Sequence, residues 1–334
     1  MDLTWAGFGT QRIAVEDSSQ VGQARRAAHS LAEQVGFDAT DAGRAALVAT
    51  ELATNVLRHG RGGHLHLTEL AGDGVRGLEV CAVDRGPGFD HAACRVDGYS
   101  TGGTQGTGLG AIERQAQVFD TWSDARGAVV VARLYAGGAR ADVPFAARCM
   151  PMSGETVAGD AWYAVRRDGR LSVVVIDGLG HGPIANEAAN AGIAAFAGAP
   201  MSDPAATIAR MHAAMSGTRG GAAAVVGYEE ASAGLAFCGI GNIGATLVDL
   251  AGTRGLASHA GIVGGQYRRA QTFDFPDSRG KLLVLYSDGL QSRWSLQAFP
   301  GLVMRHPATI AAILMRDFDR GRDDTTVLVV RLGG

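Results

Sequence analysis

Aspartates stand at the ends of apolar segments in the second half of the 334-residue chain. Asp177 and Asp288 directly follow apolar runs, whereas Asp160 and Asp323 come just before such runs. Carboxylates gathered at one edge of a sheet repel one another unless cations neutralise them, and their oxygens suit Mg²⁺ or Mn²⁺. A pair of such ions can activate water for attack on a phosphoryl group. A single Asp-Gly pair is better explained as a turn, but repetition at four strand ends favours a metal site.

The first half carries a different set of polar residues. Glu51, Asn55 and His59 are spaced four residues apart, so they share one face of a predicted helix. A carboxylate and an amide on one helix face could serve as a general base and a Mg²⁺ ligand. The same spacing is also typical of an ordinary solvated helix face, so these three residues alone leave both interpretations open.

Two glycine-containing turns follow that helix. Asp84 ends an apolar run and opens the turn Asp84-Arg-Gly-Pro-Gly88, where its carboxylate could accept the amino proton of an adenine. An ordinary strand-ending turn explains this segment equally well. Residues 101–110 are glycine-rich and run into a predicted helix, so their backbone amides could cradle a phosphate.

The hydrophobic periodicity predicts the elements that must position these residues. In the first half, helices followed by strands, a loop and a further helix indicate an α+β sandwich. The predicted strands there are 12–16, 64–70, 77–84 and 127–134, and the predicted helices are 21–34, 38–58 and 109–118. The second half is richer in strands, predicted at 161–167, 171–176, 222–228, 234–239, 244–249, 282–287 and 325–331, with helices at 183–197, 203–216 and 307–316. We therefore predict domains at 1–136 and 144–334, joined by a linker at 137–143.

Composition narrows the functional classes. The net charge of -3 gives no support to nucleic-acid binding through phosphate contacts, and the longest apolar runs are too short to span a membrane. The N-terminus lacks a signal-peptide pattern, and four cysteines without CxxC pairing indicate free thiols, so we expect a cytoplasmic protein. The single lysine, Lys281, is not followed by Ser or Thr, which excludes a P-loop. Any nucleotide phosphate must be held by backbone amides, arginine and metal.

The order and spacing of the first-half motifs resemble the N-box, DxGxG box and GxGLG box of the GHKL ATPases. Within that superfamily, residues 10–135 are similar to the bacterial anti-sigma-factor and switch serine kinases. The resemblance implies that Glu51 is the catalytic base, Asn55 the Mg²⁺ ligand and Asp84 the residue that recognises adenine. His59 would support these residues without contacting the nucleotide itself. It also implies an ATP site lined by Gly86, Gly88, Gly106, Thr107, Gly108, Leu109 and Gly110. One departure is Gly127-Ala128 in place of the usual Gly-Thr, which removes a hydroxyl contact.

Residues 145–332 resemble the metal-dependent Ser/Thr phosphatases of the sporulation phosphatase (SpoIIE) and PPM type. The matching segments are Gly159-Asp160, Asp177-Gly-Leu-Gly-His-Gly182, Gly239-Ile-Gly-Asn242, Ser287-Asp-Gly-Leu290 and Arg322-Asp-Asp-Thr-Thr326. The resemblance implies a catalytic site for two Mn²⁺ or Mg²⁺ ions held by Asp177, the carbonyl of Gly178, Asp288 and Asp323. Asp160 would bind a metal directly or hold its water, and Asp324 would support the ligands. His181 is either a proton donor to the leaving serine oxygen or a structural residue at a helix start.

Together the resemblances imply an α+β two-domain protein, a GHKL (Bergerat) α/β sandwich followed by a PPM-type αββα sandwich. Such a protein would phosphorylate a STAS-domain antagonist or stressosome-like protein with ATP and Mg²⁺, and would dephosphorylate it again. The resemblance also implies a downstream regulator or sigma factor as a further partner, and a homodimer as the oligomeric state. Two alternatives remain: the first half only binds ATP and sequesters a sigma factor or regulator, or ATP occupancy gates the phosphatase.

Overall fold

The computed structural model describes residues 3–6, 9–70, 76–89, 108–139 and 143–333. Contacts divide the chain into two compact units, the first spanning Thr10–Val143 and the second Pro144–Gly334 together with the short strand β1 (Leu3–Ala6). The predicted first domain included β1, and the structure corrects this. The strand pairs with residues 163–166 of the second unit, and the buried ring of Trp5 stacks on Phe145 at 5.5 Å. The second unit begins where the predicted linker 137–143 ends, although 140–142 lie outside the described residues.

The first unit is a sheet covered by helices. Its described elements are β2 (Gln11–Val15), α1 (Ser18–Gln34), α2 (Ala39–His59), β3 (Gly63–Glu69), β4 (Gly77–Asp84), α3 (Gly108–Gln115), β5 (Val118–Asp124) and β6 (Gly127–Tyr135). The strands pair antiparallel in the order β2-β3-β4-β6-β5. This is the predicted α/β sandwich.

Helix α2 presents its apolar side to that sheet. It begins where the Asp38 side chain accepts a hydrogen bond from the Asp41 amide, a cap that satisfies one backbone donor of the first turn. Val48, Leu52 and Val56 are buried in the core at helical spacing. The opposite side of α2 is therefore left for polar residues.

The second unit stacks two sheets between helices. Its further elements are β7 (Phe145–Met150), β8 (Asp160–Arg167), β9 (Arg170–Gly178), α4 (Gly182–Ala197), α5 (Pro204–Met215), β10 (Gly221–Glu229), β11 (Gly234–Ile240), β12 (Gly244–Val248), β13 (Thr253–Gly255), β14 (Phe273–Phe275), β15 (Leu282–Tyr286), α6 (Pro307–Phe318) and β16 (Thr325–Arg331). One sheet has the order β1-β8-β9-β10-β11-β14 and the other β13-β12-β15-β16-β7.

Helices α4 and α5 cover the first of these sheets, and α6 covers the second. The sheets meet through aromatic packing, as between Phe145 and Trp162, whose ring centroids are 5.3 Å apart. The predicted αββα sandwich is thus confirmed. Cys81, Cys149 and Cys238 are buried free thiols, and Cys94 lies outside the described residues.

Several strands were absent from the prediction. The helix predicted at 109–118 ends at Gln115, and β5 follows as an edge strand paired with β6. Its aromatic and β-branched residues favour a strand once a partner is available, which a local pattern does not reveal. Strands β1, β7, β13 and β14 were also missed. Over the part of the chain described here, none of the helices has both the length and the apolar character needed to cross a membrane.

Candidate active sites

Four aspartates lie at one edge of the second unit. Asp160 opens β8 and stands directly opposite Asp177, near the end of β9, in the antiparallel register. Asp288 comes two residues after β15, and Asp323 comes two residues before β16, its antiparallel partner. In an antiparallel pair the end of one strand lies beside the start of the next, so each pair of strands brings two carboxylates to the same edge.

A hydroxyl connects the two sheets at this edge. The buried Ser287 donates a hydrogen bond from Oγ to Oδ2 of Asp160 at 2.7 Å, and it accepts one from the Thr326 amide at 2.8 Å. Asp160 is itself buried. The bonds fix the orientation of Asp160 and hold the end of β15 against the start of β8.

The aspartates at this edge have raised pKa values. Burial and the negative charges of Asp160, Asp288 and Asp323 raise the pKa of Asp177 to about 8. Burial also raises the pKa of Asp160 to about 7, although the Ser287 hydroxyl opposes this. The pKa of Asp288 is raised too, mainly by burial and by Asp323. A divalent cation would relieve this repulsion, so the oxygen donors and their charge fit Mg²⁺ or Mn²⁺.

The aspartates do not form a closed cage. Among the described residues, no three histidine, cysteine or carboxylate side chains are grouped so that they could hold a metal ion by themselves. An ion at this edge would therefore need oxygens from water, backbone carbonyls or substrate to complete its shell. Mg²⁺ characteristically keeps several waters and uses only one or two carboxylates.

Asp324 and Asn242 support the edge in different ways. The two carboxylate oxygens of Asp324 accept hydrogen bonds from the amides of Met152 and Gly159, at 2.7 and 2.6 Å, which holds the segment before β8. The Nδ2 atom of Asn242 donates to Oδ2 of Asp288 at 2.7 Å. No role was predicted for Asn242, although the motif Gly239–Asn242 was a sequence signal for it.

The segment after Asp177 passes tightly over the start of α4. A Cβ atom on Gly178 would lie 2.2 Å from the carbonyl oxygen of Ala185, so only glycine fits there. His181 stands at the N-cap position of α4 without a side-chain capping bond. Its Nδ1 atom lies 2.8 Å from Oε1 of Glu155. The pair is partly exposed, at 52% for His181 and 27% for Glu155.

The candidate nucleotide residues of the first unit lie on α2 and on the turn after β4. Glu51 and Asn55 share the polar side of α2 and are partly exposed. Within the described ranges, neither side chain makes a hydrogen bond or ion pair, so both are available to a ligand. His59 lies at the exposed C-terminal end of the same helix.

The Asp84 turn packs against the end of α2. Oδ1 of Asp84 accepts hydrogen bonds from the amides of Gly86 at 2.8 Å and Ala128 at 3.1 Å, which orients the carboxylate. A Cβ atom on Gly60 would lie 2.6 Å from the Cβ of Asp84, and one on Gly86 would lie 2.8 Å from the His59 carbonyl oxygen. These glycines therefore allow the helix end and the turn to approach closely.

The rest of the predicted ATP site is only partly described. Gly88 adopts a positive φ of +75°, where a Cβ atom would lie 2.3 Å from the Asp124 carbonyl oxygen. Gly108, Leu109 and Gly110 form the start of α3. Gly106 and Thr107 lie outside the described residues.

The fold and the aspartate edge define a PPM-type phosphatase unit joined to a kinase-like ATPase unit. Residues 14–134 match the histidine kinase-like ATPase domain family. Residues 167–333, half of the chain, match the stage II sporulation protein E (SpoIIE) family. The chain belongs to the SpoIIE family and carries an N-terminal kinase-like ATPase domain.

Two relatives from Bacillus subtilis (strain 168) match separate portions of the chain. The serine/threonine-protein kinase RsbT is 33% identical over 97 residues, which cover 29% of this chain and 73% of RsbT. The phosphoserine phosphatase RsbX is 25% identical over 138 residues, which cover 41% of this chain and 69% of RsbX. The chain is thus similar to a kinase and to a phosphatase.

Two solved structures are also similar to part of this chain. A structure from work on the bacterial stressosome, a modular system adapted to control secondary messenger signaling, is 26% identical with a TM-score of 0.52, covering 56% of this chain and 98% of that chain. The structure of RsbX in complex with magnesium is 22% identical with a TM-score of 0.50, covering 56% of this chain and 94% of that chain. The RsbX structure supports the fold alone.

Proposed function

We propose that this chain is a bifunctional regulator in a cytoplasmic partner-switching circuit of bacteria. The first unit transfers the γ-phosphate of ATP to a serine or threonine of a STAS-domain antagonist or stressosome-like protein. The second unit hydrolyses the resulting phosphoester. The observation that carries the proposal is the set of four aspartates that two stacked sheets bring to one edge of the second unit, where burial, together with the charges of neighbouring aspartates, raises the pKa values of Asp160 and Asp177. The likeness to both RsbT and RsbX supports two opposed activities in one chain.

In the phosphatase unit, Asp177, Asp288, Asp323 and the carbonyl of Gly178 would hold two Mn²⁺ or Mg²⁺ ions, with Asp160 as a further ligand or a holder of water. When bound, such ions lower the pKa of water and polarise a phosphoryl group. Hydrolysis forms a bond from the water oxygen to phosphorus and breaks the bond from phosphorus to the serine oxygen.

The leaving serine oxygen then needs a proton. His181 lies next to the aspartates along the chain and is partly exposed, so it is the candidate donor. Glu155 orients the imidazole through Nδ1, which leaves Nε2 for the substrate.

In the kinase unit, Glu51 would accept the proton of the substrate hydroxyl. The hydroxyl oxygen then bonds to the γ-phosphorus of ATP, and the bond from that phosphorus to the ADP oxygen breaks. Asn55 would bind the Mg²⁺ that accompanies ATP, and Asp84 would accept a hydrogen bond from the adenine amino group. The bonds from the Gly86 and Ala128 amides to Oδ1 of Asp84 would fix the orientation of the carboxylate for this contact. The glycine segment ending at Gly110 would line the phosphates.

A second candidate function is a phosphatase whose first unit only binds ATP and regulates it, or sequesters a sigma factor or regulator. The observation in its favour is Ala128, which stands where the related kinases carry a hydroxyl. The amide of Ala128 contacts Asp84, so the lost hydroxyl would have been beside the nucleotide site.

The test follows label from γ-labelled ATP onto a STAS-domain protein encoded near this gene, with Mg²⁺ and Mn²⁺ present. We expect label to accumulate with Asp288→Asn and to stay low with the wild type. Equal accumulation with both proteins would contradict hydrolysis by the second unit. Absence of label with both, under conditions where pre-phosphorylated STAS protein is hydrolysed by the wild type, would favour the second candidate function.

A further inference from the structure

Arg219 lies beside the segment that follows Asp177. Its Nη1 atom is 2.9 Å from the position that a Cβ atom on Gly180 would occupy, and Gly180 has a φ of +96°. The guanidinium therefore rests against the backbone of the 178–182 segment. A side chain at position 180 would displace it.

The backbone around Arg219 is fixed on both sides. The carbonyl of Gly220 accepts a hydrogen bond from the Leu179 amide at 2.9 Å, and Gly221 pairs with Gly178 in the sheet. The amide of Gly220 also donates to the hydroxyl of Thr218 at 3.0 Å. These contacts hold Arg219 in register with the residues next to the metal-binding edge.

Arg219 is an exposed residue, and in the described part of the chain its side chain makes no hydrogen bond or ion pair. The nearby edge is rich in carboxylates, yet none of them neutralises this charge. Arg320, by comparison, lowers the pKa of Asp288 through its positive charge. An arginine held at a phosphoester-hydrolysing edge without an anionic partner is suited to a phosphate, which it can bind through two parallel hydrogen bonds.

Large apolar side chains are exposed on the two chain segments that meet at Arg219, namely the stretch from Leu179 to the first turn of α4 and the 262–265 turn that contacts Gly220. Leu179 is 42% exposed, Ile184 54% and Ile262 37%. Ile262 adjoins the arginine loop, because its Cγ2 atom lies 2.8 Å from the Cβ position of Gly220. Exposed aliphatic residues are ordinary when scattered, but a group of them beside a binding site marks a surface for a protein partner.

We propose that Arg219 binds the phosphate of the substrate, and that Ile184 and Ile262 contact apolar residues around the phosphorylated side chain. This inference rests on the proposed hydrolysis. It adds to that hydrolysis a residue that holds the phosphate and an apolar surface that contacts the protein around the phosphorylated side chain. The carboxylate edge holds the reacting centre, Arg219 supplies the charge complementary to phosphate, and the isoleucines supply contact area.

The first test measures the affinity of inorganic phosphate for the Mn²⁺-loaded protein by calorimetry, together with kcat and KM for p-nitrophenyl phosphate. We expect Arg219→Ala to weaken phosphate binding about tenfold and to raise KM similarly, as loss of a charge-assisted contact would. Arg219→Lys should recover part of this loss. The affinity for Mn²⁺ should not change. Arg167→Ala, at the far end of β8 from Asp160, is the matched control.

The second test compares p-nitrophenyl phosphate with a phosphorylated STAS-domain protein, using the double variant Ile184→Ser with Ile262→Ser. We expect KM to rise several-fold for the protein substrate and to stay unchanged for the small ester. Equal loss on both substrates would overturn the apolar contact.

The proposed function and this inference fail in distinguishable ways. A wild type without Mn²⁺-dependent hydrolysis of either substrate would overturn the proposed phosphatase, and this inference with it. Wild-type hydrolysis combined with unaltered phosphate affinity in Arg219→Ala would overturn the role of Arg219 alone.

Discussion

The two units place their candidate sites on different kinds of scaffold. In the second unit, the aspartates stand at the ends of strands from two stacked sheets, and Ser287 bonds one sheet to the carboxylate of the other. In the first unit, Glu51 and Asn55 share one helix face, and Asp84 stands on a turn that packs against the end of that helix. Strand register therefore positions the aspartates of the second unit, whereas helix periodicity and close glycine contacts position the candidate residues of the first unit.

The two candidate sites also differ in how their carboxylate charges are stabilised. Burial, together with repulsion from neighbouring aspartates, raises the pKa values of Asp160, Asp177 and Asp288, so the second unit carries an electrostatic cost that cations would reduce. In the first unit, backbone amides already stabilise the carboxylate of Asp84. The proposed metal site therefore needs cations to neutralise its carboxylates, whereas the carboxylate of the proposed nucleotide site is already stabilised by backbone amides.

The largest effect should come from Asp288→Asn, which removes a charge from the aspartate edge. We expect Mn²⁺-dependent hydrolysis of p-nitrophenyl phosphate to fall below detection, while ATP binding to the first unit is retained. Asp168→Asn is the matched control, because the same change is made at the turn after β8, far from Asp160. Hydrolysis at the wild-type rate by Asp288→Asn would refute the metal-site assignment.

Glu51→Ala tests the helix-face site of the first unit. Because the loss of a general base typically costs about 10²–10⁴-fold, we expect phosphotransfer to the STAS protein to fall by at least about 100-fold. ATP binding, measured by calorimetry, should persist. Glu33→Ala on α1, whose side chain is 61% exposed, is the control. Phosphotransfer that survives Glu51→Ala would exclude Glu51 as the base.

Asn242→Ala removes the amide that holds Asp288. The hydrogen bond of 2.7 Å orients a predicted metal ligand, and loss of such a partner costs about 10–100-fold in metal affinity or activity. We expect the Mn²⁺ concentration that gives half-maximal hydrolysis to rise about tenfold, with the maximal rate largely restored at high Mn²⁺. Asn190→Ala, which breaks a bond between two asparagines on α4, should leave the Mn²⁺ dependence unaltered.

The smallest expected effect is a change in the thermal stability of the metal-free protein with pH. The pKa of Asp177 is about 8 in the folded protein and near 3.8 in an unfolded chain, so between those values the folded state binds more protons and loses stability as pH rises. Asp177→Asn removes this loss, and we expect its melting temperature to exceed that of the metal-free wild type by a few degrees at pH 8 but not at pH 4.

Scanning calorimetry across that pH range provides the measurement. Adding Mn²⁺ should raise the melting temperature of the wild type more than that of Asp177→Asn. A wild type whose stability relative to Asp177→Asn rises from pH 4 to pH 8 would show that repulsion at this edge is already relieved without metal.

Much of the fold was predictable because long elements carry strong local patterns. Helix α2 and strands such as β9 and β15 were predicted within one or two residues of their observed bounds, since their apolar periodicity is continuous. The missed strands are mostly short or at a sheet edge. The pairing partners of β1, β7 and β14 lie far along the chain, whereas β5 and β13 are edge strands that pair with a strand beside them in the sequence.

The sequence by itself determined which residue types stand at the strand ends, on the α2 face and in the glycine turns, because local spacing sets periodicity and turn chemistry. Only the tertiary structure decided which of these residues meet. Ser287 reaches Asp160, Asn242 reaches Asp288 and Arg219 rests against Gly180. The physical reason is that these contacts join residues 39 to 127 positions apart, through sheet register and loop packing that no local pattern encodes.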